Sequence, residues 1–405
     1  MATHSTGHID DAALMVRPTA ELSRLGSRSF VLGGIGLALT ALGFLIARDT
    51  FMQSYLIAYI FWTGITVGSL AVLMIHHLSG GAWGMVGRRV WEAATKNLPL
   101  MAVLFLPIAL NLPTLYSWAR PEAATDPIIQ TKVAYLNATG FYLRAAAFFV
   151  AWIGLSMTFA KWSKQQDESP TEITGPRDRR FRVLSGPGLV VYVVTVTFMS
   201  VDWVMSVDPH WYSTIFGVLM IGGQGLSTLA FTIVVLAALV KFRPMADVVG
   251  PDQFHDLGKL MFAFVMLWAY FSVSQLIIIW SANLPEEIPF YLQRLHGPWA
   301  PISIALLFLQ FALPFLLLLS RGLKRNPGRV RAIALLILVM RVVDITWTIG
   351  PVFRHDGSSL HWLDFALVLG IGCVWLPLFW RNLASRPLVP AHDPHFKEAM
   401  ANGGN

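Results

Sequence analysis

Charged side chains are scarce in this sequence. They make up 13% of its 405 residues, against 55% hydrophobic residues, and the mean hydropathy is +0.58. Soluble domains average about 25% charged residues, so this composition excludes a soluble globular protein. The first 28 residues are polar, and no pattern of small residues follows the first apolar segment. We therefore expect no cleaved signal peptide and no secretion.

Cysteine is almost absent, with Cys373 as its single example. One thiol excludes an iron–sulfur cluster held by this chain alone, an internal disulfide and an attached c-type haem. Phosphate-binding loops, zinc-protease motifs and nucleophile elbows are also missing. His76 and His77 lie about 100° apart on a helix and are poorly placed to share a metal or haem. They are either polar groups at a helix end or proton carriers.

Long apolar segments are abundant, and ten of them approach the ~20 residues that cross a bilayer. They predict an all-α integral membrane protein whose single membrane domain covers residues 29–381, between tails at 1–28 and 382–405. The predicted membrane helices cover residues 29–46, 55–78, 98–118, 139–162, 186–207, 213–240, 256–282, 298–320, 330–350 and 362–380.

Positive charge is distributed unevenly between the two sides of this predicted domain. With ten helices both tails lie on one side, where the tails and connections hold 21 Lys and Arg residues. The opposite connections hold five. Because cytoplasmic segments are enriched in Lys and Arg, we expect both tails to be cytoplasmic. The net charge of +7 is therefore a sign of membrane topology, and we expect no nucleic-acid partner.

Four charged residues fall inside the predicted helices. Asp202 and Asp344 lie near the outward ends of the fifth and ninth helices, and Arg144 lies near the outward start of the fourth. Arg341 precedes Asp344 by three residues, which places it on a neighbouring helix face. An acid at the centre of a membrane helix costs ~2.5–3.5 kcal/mol and is usually paired or functional. These residues are either ion pairs that hold helices together or members of a proton-transfer path.

Other polar residues extend this candidate path. His210 and Glu286 lie near the predicted outward surface. Gln224, Gln275 and Gln310 lie within helices, where they provide hydrogen-bonding steps or contacts between helices.

The two halves of the membrane domain share short matches. Asp202 and Asp344 each precede a proline by seven residues, and the third and seventh helices end in Asn-Leu-Pro, at Asn111–Pro113 and Asn283–Pro285. A unit of four helices repeats in parallel orientation, unlike the inverted repeats of many transporters. We therefore predict two four-helix bundles, helices 2–5 and 6–9, flanked by helices 1 and 10. The bundles cover residues 55–207 and 213–350.

Three stretches of the chain resemble one protein family. The stretches are Asp202–Tyr212 continuing into Ser213–Gly217, His77–Trp83 with Arg88, Arg89 and Glu92, and Asp256–Lys259 with Trp280–Glu287. They resemble the F subunit of bacterial alternative complex III, a quinol:electron-acceptor oxidoreductase, within the NrfD-like membrane anchors of polysulfide reductase. The resemblance extends from the second to the eighth helix and itself implies two four-helix bundles with flanking helices.

The resemblance implies a subunit of a respiratory complex in the bacterial inner membrane. The implied partners are an iron–sulfur subunit, c-type cytochrome subunits and a larger NrfD-like paralogue, which would hold the iron–sulfur clusters and haem c. This chain would hold no redox cofactor and would contribute proton transfer and energy coupling. Contact with quinol or quinone is left open, because the larger paralogue is the better candidate for quinol oxidation.

Two other functions stay open at the level of sequence. A secondary transporter acting alone would have an inverted repeat and a substrate site near the membrane midplane. A cofactor-free scaffold of a redox complex would use its buried charges only to hold helices together.

Overall fold

The structure is a computed structural model that describes residues 19–169, 176–354, 359–390 and 392–393. These residues are mostly helical and form no strand, and nine of their helices are long and apolar enough to cross a membrane. The predicted all-α membrane fold is therefore confirmed. Most of both predicted tails lies outside the described residues, although the chain is already helical from Thr19.

Ten long helices can be traced through the described part of the chain. Their bounds are α1 Thr19–Ile46, α2 Arg48–Ser79, α3 Arg88–Leu110, α4 Ala138–Asp167, α5 Pro176–Trp203, α6 Phe216–Leu239, α7 Pro251–Ala282, α8 Gly297–Leu319, α9 Pro327–Ile349 and α10 Trp362–Ala384. Helices α2 to α10 are the nine that are long and apolar enough to cross a membrane. The described apolar part of α1, Gly34–Ile46, is shorter.

Helix α3 differs most from its prediction, which covered residues 98–118. It begins at Arg88, consists of three helical pieces, and ends at Leu110. The sequence analysis missed this early start because the charges of Arg88, Arg89 and Glu92 indicated a polar connection between two helices. In the structure these three side chains are buried and pair with one another, so their charges do not prevent a helix inside the protein.

Helices α2 and α6 form the centre of the molecule. Helix α2 packs against α3, α5, α6, α9 and α10, and α6 packs against α2, α5, α7 and α9. Helix α4 packs on α3 and α5 as α8 packs on α7 and α9. These contacts correspond when α2–α5 are matched with α6–α9, so the two predicted four-helix bundles are present in parallel correspondence. At Gly68 a Cβ atom would lie 2.9 Å from Gln224 O, so glycine allows the two central helices to approach closely.

Helices α1 and α10 form a separate antiparallel pair beside the bundles. Gly36 lies against Leu369 and Cys373, and Gly43 lies against Leu363. Because later residues of α1 meet earlier residues of α10, the two helices run in opposite directions. We call the end where α6 and α8 begin and α7 and α9 end the distal end, and the opposite, arginine-rich end the basic end.

Candidate functional site

A cavity of about 620 Å³ lies in the distal half of the second bundle. Helices α6 to α9 supply its walls, which are mainly apolar, with Met220 and Phe311 among the lining side chains. Phe290 and Tyr291, from the short helix Pro289–Leu295, line its distal side. The bundle thus encloses a space of the size and character of a small-molecule site.

The cavity opens on the side of the bundle formed by α7 and α8. Tyr270 and Ile277 on α7 line it, yet they are 66% and 53% exposed. Leu307 on α8 also lines it and is 54% exposed. Apolar side chains on the outside of a membrane helix face lipid. A molecule dissolved in the bilayer could therefore enter the cavity without crossing the water phase.

The Arg341–Asp344 ion pair lies in the cavity wall. Both residues are on α9, one turn apart, and both are nearly inaccessible to solvent. Trp268 Nε1 on α7 also donates to Asp344 Oδ2, at 3.1 Å. The Arg341 guanidinium occupies the space beside Gly223, where a Cβ atom would collide with Nη2. Glycine at this position of α6 is therefore what admits the arginine between the helices.

A second polar group faces the same cavity from its distal side. Gln275 Nε2 donates to Tyr291 Oη at 3.3 Å, and Ser213 Oγ donates to Gln275 Oε1 at 3.1 Å. Burial raises the pKa of Tyr291 to about 12, so this phenol keeps its proton at neutral pH. Apolar walls thus separate a charged pair from a neutral hydrogen-bonding group.

Arg294 is a buried residue of this region that the sequence analysis did not select. Its guanidinium donates to Trp347 O at 3.0 Å, Thr348 O at 2.7 Å and Phe290 O at 2.8 Å. Trp347 and Thr348 belong to the last turn of α9, whose carbonyls carry partial negative charge. Arg294 therefore caps α9 and fixes the distal side of the cavity. It is one of the five Lys and Arg residues in the predicted outward connections, and its position in this otherwise charge-poor set could have identified it from the sequence.

The first bundle contains the other predicted pair. Arg144 Nε on α4 lies 2.7 Å from Asp202 Oδ2 on α5. Asp202 is completely buried, whereas the Arg144 side chain is 23% exposed and stacks on the Tyr135 ring, 3.9 Å from its centroid. This pair joins two helices, whereas the Arg341–Asp344 pair lies within one.

Aromatic side chains fill the space beside Asp202. The Trp203 ring lies 4.6 Å from Phe105 and 5.8 Å from Phe149, between centroids. Trp152 meets the same indole edge-on at 6.1 Å. Such close aromatic packing leaves the first bundle better suited to stability than to holding a ligand at this position.

His210 and Glu286 lie at the distal surface and do not line the cavity. His210 Nε2 is 2.7 Å from Asp126 Oδ2, and its side chain is about half exposed. The Ile129 backbone N–H, helped by His210, holds the pKa of Asp126 below its usual value. The structure therefore does not bring these two predicted residues together with Asp344.

The remaining predicted residues lie at helix contacts or at the basic end. Tyr192 Oη on α5 donates to Gln224 Oε1 on α6 at 2.9 Å, which makes Gln224 a contact between the bundles. His76 and His77 end α2, where the His77 ring packs 4.7 Å from that of Phe181. Within the described ranges, no three His, Cys, Asp or Glu side chains are grouped as metal ligands.

A buried charge network holds the basic end together. Arg88 and Arg89 both bind Glu92, at 2.9 and 2.8 Å, and Arg88 also pairs with Asp393 near the chain's end. Asp167 pairs with Arg89, so α3, α4 and the segment after α10 meet here. The pairing explains how this region buries charge, and it points to a structural role.

No protein-family model matches the chain, and no curated protein matches it.

Proposed function

We propose that the chain is a membrane subunit of a quinol-oxidising respiratory complex, and that its second bundle binds the quinol head group. The observation that carries this proposal is the cavity that opens toward lipid and has Arg341 and Asp344 in its wall. A quinol is soluble in the bilayer, combines an apolar tail with two ring hydroxyls, and loses two protons and two electrons on oxidation.

The cavity offers each part of such a molecule a suitable surface. Its volume of about 620 Å³ lies within the ~300–1,000 Å³ of ordinary ligand sites. The apolar walls suit the ring and tail, while Asp344 and Tyr291 offer hydrogen-bonding atoms to the hydroxyls. A carboxylate beside a ring hydroxyl can accept its proton as a general base. Arg341 would offset the charge of Asp344 before the proton arrives.

The electrons have to leave through other subunits. The chain has one cysteine and so cannot hold an iron–sulfur cluster by itself. We propose an iron–sulfur subunit, c-type cytochrome subunits and a larger NrfD-like paralogue as its partners in a bacterial inner membrane. In this complex the chain contributes quinol contact and proton release, and it drives energy coupling by releasing protons on one side.

The direction of release follows from the proposed orientation. The 21-to-5 distribution of Lys and Arg supports cytoplasmic termini and a periplasmic distal end, so protons from Asp344 would leave on the periplasmic side. A reporter fused after Asn405 should then be active in the cytoplasm, and one inserted near Thr125 should be active in the periplasm. Reversed activities would overturn this direction of proton release.

The geometry favours this function over a secondary transporter that acts alone. Helices α2–α5 correspond to α6–α9 in parallel, whereas such transporters commonly have inverted repeats. The cavity also lies in the distal half of one bundle, and among its lining residues Val204 alone comes from the first bundle.

A photoreactive quinone analogue tests the proposal directly. The intact complex, in its native membrane, is illuminated with the analogue, and the labelled peptides are identified by mass spectrometry. We expect labelling of residues 266–277 on α7 and 303–311 on α8, with competition by unlabelled quinol. Asp344→Asn should reduce quinol oxidation, and Asp202→Asn provides the matched change in the first bundle. Labelling confined to other subunits would overturn quinol binding by this chain.

A further inference from the structure

Lys324 is a buried lysine at the basic end, in the connection between α8 and α9. The residue is 7% exposed, although lysine is almost never buried without a charged partner. Its stem packs on α7, where a Cβ atom at Gly258 would lie 3.0 Å from Lys324 Cγ. Among the residues that the structure describes, Lys324 has no hydrogen-bond acceptor and no ion-pair partner. Its positive charge is therefore left without a counter-charge from the protein.

Two acids of α7 lie in this region, and both already have basic partners. Asp256 Oδ1 accepts from Lys259 Nζ at 3.1 Å and lies 4.0 Å from His255 Nδ1. Asp252 Oδ1 pairs with Arg325, the residue that follows Lys324. Neither carboxylate is thus available to balance the buried lysine.

A second unbalanced positive charge lies beside Lys324. Arg321 begins the short helix Arg321–Lys324, so it lies one turn away, and its side chain is exposed. It too forms no ion pair with any residue of the described ranges. Burial lowers the pKa of Lys324, and the charge of the nearby Lys259 lowers it further. A bound anion would oppose both effects by stabilising the charged lysine.

An apolar surface begins next to the Lys324 ammonium. Lys324 Nζ lies 5.8 Å from the centroid of the Phe262 ring on α7, within the range of a cation–π contact. Phe262 stacks on Phe315 of α8 at 5.4 Å, and both rings are partly exposed. Leu319 follows Phe315 by four residues, on the same face of α8, and is 56% exposed. Unbalanced positive charge thus meets an apolar surface between two membrane helices.

We propose that Lys324 and Arg321 bind the phosphate group of an anionic phospholipid in the leaflet at the basic end, with its acyl chains against Phe262 and Phe315. Basic pockets between membrane helices suit anionic head groups. The guanidinium can bind two phosphate oxygens, and the ammonium adds a point charge. A free phosphate ion would leave the aromatic surface uncovered, whereas a lipid covers both parts. The site lies at the opposite end of the bundle from Asp344, so lipid binding does not depend on quinol binding.

Native mass spectrometry tests the choice of ligand. The full chain is purified in detergent with any subunits bound to it, and it is titrated with dioleoylphosphatidylglycerol or dioleoylphosphatidylcholine. The two lipids have the same chains, but the second has no net charge. We expect tighter binding of phosphatidylglycerol and no displacement by inorganic phosphate. Equal affinity for the two lipids would overturn an anionic head group, and displacement by inorganic phosphate would overturn the lipid in favour of the free anion.

Lys324→Met tests the residue, because methionine keeps most of the apolar stem and removes the charge. We expect phosphatidylglycerol to bind about fivefold more weakly or worse, the factor for one basic residue near anionic lipid. Lys241→Met is the matched control, since Lys241 is an exposed lysine that follows α6 at the same end. It should leave the affinity unchanged. Wild-type affinity in Lys324→Met, or equal losses in the two variants, would overturn the site.

Arg321→Gln gives a second variant that leaves the packing on α7 intact, because Arg321 is exposed. It should weaken phosphatidylglycerol binding by a similar factor, and wild-type affinity would remove Arg321 from the site. A phosphatidylglycerol with a photoreactive head group locates the lipid on the chain. We expect it to label residues 255–262 and 319–325, and labelling confined to other segments would contradict the proposal.

Discussion

The two bundles carry matching acids in different surroundings. Asp202 pairs with an arginine from another helix, so the pair fastens α4 to α5. Asp344 pairs with an arginine from its own helix, so no second helix depends on that pair. Movement of the Asp344 side chain would therefore break no ion pair between helices, although it would release the hydrogen bond from Trp268 on α7. The comparison suggests that one acid stabilises its bundle while the other is available for chemistry.

The residue after each acid shows how the two interiors diverge. Trp203 follows Asp202 and packs against the aromatic rings of the first bundle. Ile345 follows Asp344 and lines the cavity of the second. A smaller side chain at the matching position thus accompanies open space. A duplicated fold can therefore keep its helix packing while one copy is filled and the other binds a ligand.

Neutralising the acids should have the largest effects. Asp344→Asn leaves the buried Arg341 without its charged partner, which can cost ~3–5 kcal/mol. Asp202→Asn does the same to Arg144, which is partly exposed and should cost less. We expect the double change Arg144→Gln with Asp202→Asn to restore both complex yield and proton release. The double change Arg341→Gln with Asp344→Asn should restore yield but not proton release. Yield is measured after purification, and proton release is measured in vesicles during quinol oxidation. Normal proton release in the second double variant would remove the functional difference between the acids.

The packing difference predicts an unequal pair of stability changes. Trp203→Ala removes a fully buried indole from a filled interior and should destabilise the protein by ~3–5 kcal/mol. Ile345→Ala enlarges a space that already exists, so its cost should lie near the ~2 kcal/mol lower limit for such changes. Denaturant unfolding of the purified protein in detergent compares the two. Equal losses would contradict the contrast between a filled and an open bundle.

Removing one phenol from each bundle sharpens the comparison further. Tyr291→Phe deletes the hydroxyl that faces the cavity, and a hydrogen bond of ~1 kcal/mol corresponds to about tenfold or less in quinol affinity. Tyr116→Phe is the control, because Tyr116 Oη donates to Trp203 O at 3.1 Å in the first bundle. It should leave quinol affinity unchanged. Equal affinity for a quinol analogue in Tyr291→Phe and wild type would exclude Tyr291 from the binding site.

The surface pair between Asp126 and His210 should have the smallest effect. The pKa of Asp126 is lowered in the folded protein, so its stabilisation is present above the ordinary value near ~4 and is lost as pH falls through the folded value. Because Asp126 lies at the surface, where water screens its charge, Asp126→Asn should change the melting temperature little at pH 7 and even less at pH 3. Melting curves at both pH values test this, and a large loss at pH 7 would show an unexpected role for this pair.

Much of the fold could be predicted because it depends on local composition. The apolar segments located the membrane helices within about ten residues at their ends, and the Asp-to-Pro spacing indicated the repeat. The two ion pairs also followed, since acids and bases buried in a membrane need partners. These features are visible along the chain without knowing which helices touch.

The cavity and its neighbours could not be predicted because they depend on packing between distant segments. No local feature of the sequence distinguishes the filled interior of the first bundle from the open interior of the second. The π-helical segment Leu306–Ala312 of α8, which brings Gln310 to Asp344, has an ordinary apolar sequence. Arg294 finds its partners at the end of α9, more than fifty residues away. To predict any of these features, one would need the relative positions of several helices.

The charge network at the basic end has a consequence for synthesis of the chain. Arg88 and its partner Asp393 are separated by 305 residues, and Asp393 is near the end of the chain. The ribosome therefore delivers the arginine long before it delivers this second carboxylate partner. Until then Arg88 has Glu92 alone as its acidic partner. The buried network at the basic end thus forms in two stages, and the second stage follows only after all ten helices have been made.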